Sequence, residues 1–291
     1  MIKQTIRYGA YPLILGLSAF AVLLTIRNGI VPWPGFTIIA GLALFAIASL
    51  ERIQPYQKAW LENHGDLFVD IVYAITSLGL LSATAWALHV IRMDMTSVWP
   101  DGWPMWSQIL LAGAVIDLGL YLMHRLSHRI DWLWRLHALH HSSERLYWLN
   151  GERRHPLSAV LLASPGIIAT VALGAPPLVV SAWFTLLTVH LAFQHANLDY
   201  TVGPLRKLLG VAEIHRWHHK REFEDAQVNF GEFWMIWDQL FGTFHDQKNG
   251  VSAGDVGLRS THFPLRLIAQ LCWPFNNAIN ATKTSKVDSD L

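Results

Sequence analysis

Cysteine is nearly missing from this chain. Cys272 stands alone, which excludes an internal disulfide and a multi-thiolate zinc site. Charge is sparse too: Asp, Glu, Lys and Arg make up 15% of the 291 residues, against ~25% in an ordinary soluble domain. The net charge of +1 leaves no basic surplus, so nothing points to nucleic acid. No internal repeat or low-complexity tract is visible. Apolar residues take the space instead, at 52%, and the mean hydropathy is positive. Among the tryptophans, Trp33, Trp99, Trp103 and Trp106 fall where the aromatic belts of a membrane protein belong.

The apolar residues are gathered into runs. Residues 10–26 are uncharged and long enough to cross a bilayer. Residues 36–50 form a shorter run with Gly41 inside, open to being tilted or partly interfacial. Residues 67–91 carry Asp70 near their start, and residues 106–123 lead straight into His124. A last region, 156–193, is broken by Gly174, Ala175, Pro176 and Pro177, which reads as the tip of a helical hairpin. The fold class is therefore all-α: a multi-pass transmembrane helical protein with a cytoplasmic helical cap carrying histidine clusters. Lys3 and Arg7 precede the first run without a small-residue cleavage site after it, so it reads as an anchor. With a cytoplasmic N-terminus, only Arg27 and Arg92 fall in outer loops; the other Lys and Arg fall inside, as the positive-inside rule requires. The expected location is a bacterial inner membrane rather than the endoplasmic reticulum. The tail 277–291 reads as frayed and polar.

Eight histidines crowd into three short segments. They are His124 and His128 in HRLSH, His137, His140 and His141 in HALHH, and His215, His218 and His219 in HRWHH. On a helix, positions i, i+3 and i+4 share a face, so each segment aims two or three imidazoles one way. Neutral imidazole ligates iron, zinc or copper, and eight rings exceed what one ion uses. One or two of them would pass as core or surface histidines; three clusters of this spacing do not.

The stretch DLGLYLMHRLSHRIDWLWRLHALHHSSE (117–144) resembles the fatty acid hydroxylase/sterol desaturase superfamily, and so does HRWHHKREFEDAQVNFGEFWMIWDQLFGTF (215–244). Acyl-CoA desaturases share the histidine boxes. Here the first two boxes sit in one Trp-containing segment, and the third follows a hairpin and leads into WDQLFGTF, details closer to the hydroxylases. The resemblance covers residues 106–245 as a di-iron catalytic domain, preceded by transmembrane helices in 1–105 and followed by a tail with an interfacial helix in 246–291. It implies two iron ions held by the eight histidines, with zinc able to replace them on overexpression, and O₂ as co-substrate. It adds a ninth ligand, His195, in the segment QHANLD. His190 reads either as a further ligand or as a cap on a buried helix. His155, in RRHP, reads as structural or as part of the substrate mouth; His64, His89, His245 and His262 belong to no cluster.

A highly charged all-imidazole metal pair calls for nearby hydrogen-bond acceptors to moderate it. Asp225, Asn229, Asp238 and Glu144 are candidates, with solvated acids as the alternative. Asp238 lies in an aromatic run, where a carboxylate needs a partner: either a ligand histidine or a backbone turn at Gly242. Asp117, seven residues before His124 in an apolar span, is a functional or a helix-packing group. The implied activity is hydroxylation or desaturation of a lipid C–H bond. Sterol, fatty acyl, ether-lipid and carotenoid substrates all stay open, since HHSSE with WDxLFGTF is similar to alkylglycerol monooxygenases and sterol oxidases alike. Electrons are expected from a separate ferredoxin or cytochrome, docked on Arg125, Arg129, Arg153, Arg154, Lys220 and Arg221; lipid headgroups are the competing partner of these cations. Two other classes compete: a histidine-rich metal transporter, and a catalytically silent regulator on the same fold. Clusters on one side only argue against the first, and retention of every box against the second.

Overall fold

The computed structural model describes residues 2–30, 32–92, 97–247, 250–259 and 263–276. The expected tail 277–291, His262, and part of the outer loop after Arg92 lie outside the described residues, as does the side chain of Trp33. The described residues contain helices and loops with isolated bridges but no strand. Six helices are long and apolar enough to cross a membrane. They are α1 (Ile2–Arg27), α2 (Pro32–Ile53), α3 (Leu67–Arg92), α4 (Met105–Ser127), α6 (Pro156–Leu173) and α7 (Pro177–His195). Short helices α5 (Asp131–His141), α8 (Ala212–His218), α9 (Ile236–Leu240) and α10 (Leu267–Cys272) lie between and after them.

Helix α2 corrects one expectation, being a full span rather than a short interfacial piece. Its last turn is polar, and so dropped out of the apolar run. Glu51 is buried there because its carboxylate accepts hydrogen bonds from Trp148 N (2.8 Å) and Asn197 N (2.7 Å). The hairpin is as expected. His155 caps α6 and Pro156 occupies its first turn, where no N–H is needed. Gly174 ends α6 with φ 101°, a left-handed angle that a side chain resists. Pro176 and Pro177 then start α7.

Helices α4, α6 and α7 form the heart of the bundle, with α3 against α6 and α1 and α2 against α7. Without a hydrophobic force between helices in lipid, close backbone packing holds such bundles. Here α4 and α6 touch backbone to backbone: a Cβ on Gly166 would lie 2.5 Å from Ile116 O, and one on Gly119 would collide with the backbone of Gly166. Trp183 of α7 lies over Gly113 of α4, where a Cβ would meet the ring at 2.5 Å.

The loops segregate to two ends. At one, Val98 N bonds Leu173 O (3.1 Å), and the His89 ring nitrogen contacts Ala175 O (3.1 Å), joining the tip of the α6–α7 hairpin to the approach to α4. At the other, Tyr56 N donates to Asn197 O (3.1 Å) and Thr201 N to Arg7 O (2.8 Å). That second end gathers the start of α1, the α2–α3 loop, α5, and the described residues that follow α7. The alternation of ends is the one expected from the six spans.

Candidate metal centre

Every histidine singled out as a ligand is buried, and the chain brings all nine together at the second end of the bundle. They sort into two groups. His124, His128, His137, His141 and His218 form one; His140, His195, His215 and His219 form the other. Within each group the ligand nitrogens lie within 4.8 Å of one another. Helix geometry explains the sorting. At 100° per residue, i+4 lies 40° to one side of residue i and i+3 lies 60° to the other. An HxxHH segment therefore divides its rings between two groups. In α5, His137 and His141 serve the first group and His140 the second. Helix α8 reverses the roles, with His215 and His219 in the second group and His218 in the first. The stacked rings of His141 and His219, 4.5 Å between centroids, lie where the groups meet.

The donor set fits metal ions. Nε2 of His128 and His141 are 3.2 Å apart, as are those of His141 and His137; His215 Nε2 lies 3.1 Å from that of His195 and 3.0 Å from that of His219. Neighbouring ligands at right angles on one ion with bonds of ~2.1 Å stand ~3 Å apart. His124 and His218 give a second sign. Their Nδ1 atoms sit 2.9 Å from the carbonyls of Phe230 and Val228, which fixes the Nδ1–H tautomer. Their Nε2 atoms are then left buried without a hydrogen-bond partner among the described residues. Burial, followed by repulsion among the rings, pushes His128, His137, His140, His141, His215 and His219 well below the usual imidazole range, so they are neutral and ready to ligate.

The surroundings depart from expectation in several places. Among the described residues Asp238 bonds no clustered histidine; it does tie down the turn at Gly242, where Thr243 N (2.8 Å) and Phe244 N (3.2 Å) donate to its backbone carbonyl. Its carboxylate accepts from Phe230 N (2.8 Å), Gly231 N (2.7 Å) and the Thr243 hydroxyl (2.6 Å). Burial raises its carboxyl and those three donors oppose the rise. It thus holds the loop whose carbonyl orients His124, one step from the metal ligands. Asn229 works on the same loop: its side chain bonds Ile214 O, His245 O and His245 N, and its φ of 56° aims the flanking carbonyls at His124 and His218. Asp117 ties α4 to the segment that leads into α9, accepting from Phe233 N, Trp234 N and the Trp237 indole. Asp225 pairs with Lys220 at the surface and Glu144 is exposed, so neither serves the site. His190 joins neither group; it bonds the Tyr11 hydroxyl (2.8 Å) and stacks on Phe233. His155 is structural, capping α6 and contacting Leu271 O.

Arg153 and Arg154 are buried, not docking cations. Arg153 pairs with Asp70 (2.7 Å), whose other oxygen takes the Tyr147 hydroxyl (2.6 Å). Arg154 reaches both oxygens of Glu232 at 3.3 Å, and Glu232 stands 3.6 Å from His124 Nδ1. On the other metal group, Asn150 Oδ1 lies 3.3 Å from His195 Nδ1, with its amide held by Ser143 Oγ and Arg145 O. Nothing local in the sequence marks Glu232, Arg154 or Asn150 as neighbours of the ligands.

An apolar cavity of about 340 Å³ reaches this end of the bundle between α2, α3 and α7. Its floor includes Gly151, which lies flat against a metal ligand: a Cβ there would stand 3.0 Å from His195 Cδ2. A larger cavity of about 790 Å³ shares Leu44, Leu78 and Thr188 with it and runs on to Trp86, His89 and Pro177 near the far end. Together they run along the bundle from near the far end to Gly151, the wall that separates the smaller cavity from His195.

Two groups of imidazoles sunk in the end of a bundle with six candidate membrane spans define a histidine-box membrane protein able to hold metal ions. Comparison with known proteins narrows the class. Residues 109–243 match the model of the family "Fatty acid hydroxylase". An ornithine lipid hydroxylase from Rhizobium tropici, OlsE, is 34% identical over 253 residues, covering 83% of this chain and 76% of that protein. Alkylglycerol monooxygenases from Danio rerio and Homo sapiens are 32% and 28% identical over 54% and 58% of this chain. The chain spans only 34% and 37% of those two. No solved structure matches. The chain belongs to the fatty acid hydroxylase family.

Proposed function

We propose that this protein is a di-iron hydroxylase of membrane lipids. One observation carries the reading: two adjacent groups of buried imidazoles lie at one end of a six-span bundle, beside an apolar cavity between α2, α3 and α7. The names of the relatives, a lipid hydroxylase and two monooxygenases, agree with it. Iron held by the nine histidines would supply the activation of O₂. Overall, one lipid C–H becomes C–OH and the second oxygen atom leaves as water, with two electrons and two protons drawn from outside. The protein's own residues prepare the site. Carbonyls of Phe230 and Val228 and the Asn150 amide set ring orientation, the Arg154–Glu232 pair backs His124, and burial keeps water out.

Residues 106–245 are the catalytic unit of this reading. Residues 1–105 do more than anchor it, because Glu51, Asp66 and Asp70 clamp the segment after the second box. The segment around α10 would lie along the interface, in keeping with exposed Leu265, Ile268 and Phe275. The histidine end faces the cytoplasm of a bacterial inner membrane, following the basic residues. There a separate ferredoxin or cytochrome delivers electrons, and of the six candidate docking cations only Arg129 is exposed. Purified protein should hold two irons per chain, and cells expressing it should accumulate a lipid heavier by one oxygen only when aerated. A chain with one metal or none, or an unchanged lipid profile, overturns the proposal.

A further inference from the structure

The apolar cavity contains one ionisable residue. Glu152, half-buried in a single 3₁₀ turn (Asn150–Glu152), lines it beside Gly151, and every other lining residue is apolar except Thr188. Among the described residues, its carboxylate makes no hydrogen bond. Its backbone carbonyl is spoken for by Ser77 Oγ (3.2 Å) and Arg154 N (2.8 Å). Arg154 is the cation that acts on it electrostatically, yet its guanidinium already faces both oxygens of Glu232. The trio of Glu152, Arg154 and Glu232 thus holds two carboxylates for one guanidinium. Burial duly raises the Glu152 carboxyl, with Arg154 opposing and Glu232 adding to the rise. A carboxylate left in this state beside an apolar path is complementary to a cation arriving along that path.

We propose that Glu152 binds the ammonium group of an amine-bearing lipid, whose acyl chain lies in the path between α2, α3 and α7. The inference rests on the hydroxylase reading and narrows its substrate class to lipids with a cationic amine in the head. The seat of that amine is next to Gly151, and Gly151 touches His195. The oxidised carbon therefore lies within a few bonds of the amine, on the head or the first carbons, and not far down the chain. A glycerol ether or a sterol offers no cation to this carboxylate.

The test uses purified full-length protein in nanodiscs and three probes with matched chains: ornithine lipid, its N-acetylated derivative, and a monoalkylglycerol. A charge-assisted hydrogen bond predicts binding of ornithine lipid about tenfold or more tighter than either neutral probe. Glu152→Gln should abolish that preference while leaving monoalkylglycerol binding and metal content unchanged. Equal wild-type affinity for all three probes, or no binding of any, overturns the proposal whether or not the variant folds. So does a preference that survives in Glu152→Gln. Loss of metal from Glu152→Gln overturns it as well, since the carboxylate would then be balancing the metal charge. A wild type that shows the preference but holds no iron or oxidises no lipid refutes the hydroxylase reading and leaves the amine site standing. Where product forms, fragmentation should find the added oxygen on the amine-bearing fragment; oxygen on the distal chain contradicts the seat assigned here.

Discussion

Replacing Asp238 by Asn exchanges one carboxylate oxygen for an NH₂ group at constant size. The carboxylate now receives three donors, two of them backbone N–H groups of Phe230 and Gly231 at 2.8 and 2.7 Å. After the exchange one buried donor faces another donor, so at least one charge-assisted bond is lost, a cost of about 1.5–3 kcal/mol. The removal of a buried charge offsets part of this, because burial raises the Asp238 carboxyl in the first place. The damage should pass along the loop. Phe230 O is the acceptor that fixes His124, and supports of that kind are worth ~10–100-fold in metal affinity. Unfolding by denaturant in detergent should begin earlier, and chelator titration should strip the five-histidine group first. Asp238→Ala should do more, leaving all three donors without a partner. Unchanged metal affinity and an unchanged unfolding midpoint in Asp238→Asn would refute the reasoning. Lower stability with untouched metal affinity would reduce Asp238 to a loop cap.

Removing one ligand from each group, with His140→Ala and His218→Ala together, should leave fewer than two tightly held metals per chain by elemental analysis; full retention defeats the two-site reading. Metal-free protein should be most stable above about pH 7 and lose stability as pH falls below ~6.5, because the unfolded chain protonates its histidines there while the buried rings resist; a flat unfolding profile between pH 8 and 5 contradicts this. Gly119→Val should force α4 off α6 at a cost of about 1–3 kcal/mol, read as a lower unfolding midpoint, and a wild-type midpoint would mean the helices do not touch there. Single cysteines at the exposed positions Glu144 and Glu224 should resist an impermeant label on intact cells while one at Asp101 reacts; the opposite pattern would invert the orientation.

The clustering of the histidines was legible because imidazoles at helical spacing advertise themselves locally. His195 was the exception: a lone histidine at a helix end, identified only through the resemblance of its segment. The hairpin tip was written in Gly174, Pro176 and Pro177, residues whose backbone limits act within a few positions. What stayed hidden were pairings across long stretches of chain. Arg153 and Arg154 look like a surface cationic pair until Asp70 and Glu232 come to meet them from 83 and 78 residues away. Asp238 was rightly suspected of having a partner, and the aromatic residues around it said so. They could not say that the partner was the backbone of Phe230 and Gly231. Glu152 lies in a polar segment between helices, and only the fold turns it toward an apolar space.

The sharing of both histidine groups by α5 and α8 has a consequence for how a metal pair would be loaded. Each helix is short, 11 and 7 residues, and such helices hold marginally by themselves. An ion captured by either group must order both helices, because both contribute to it. That ordering has then been met for the other group, whose remaining rings are already in place. The second ion should accordingly bind more tightly than the first, a positive coupling that runs in both directions. At limiting iron the population should divide into empty and filled chains, with few holding a single ion.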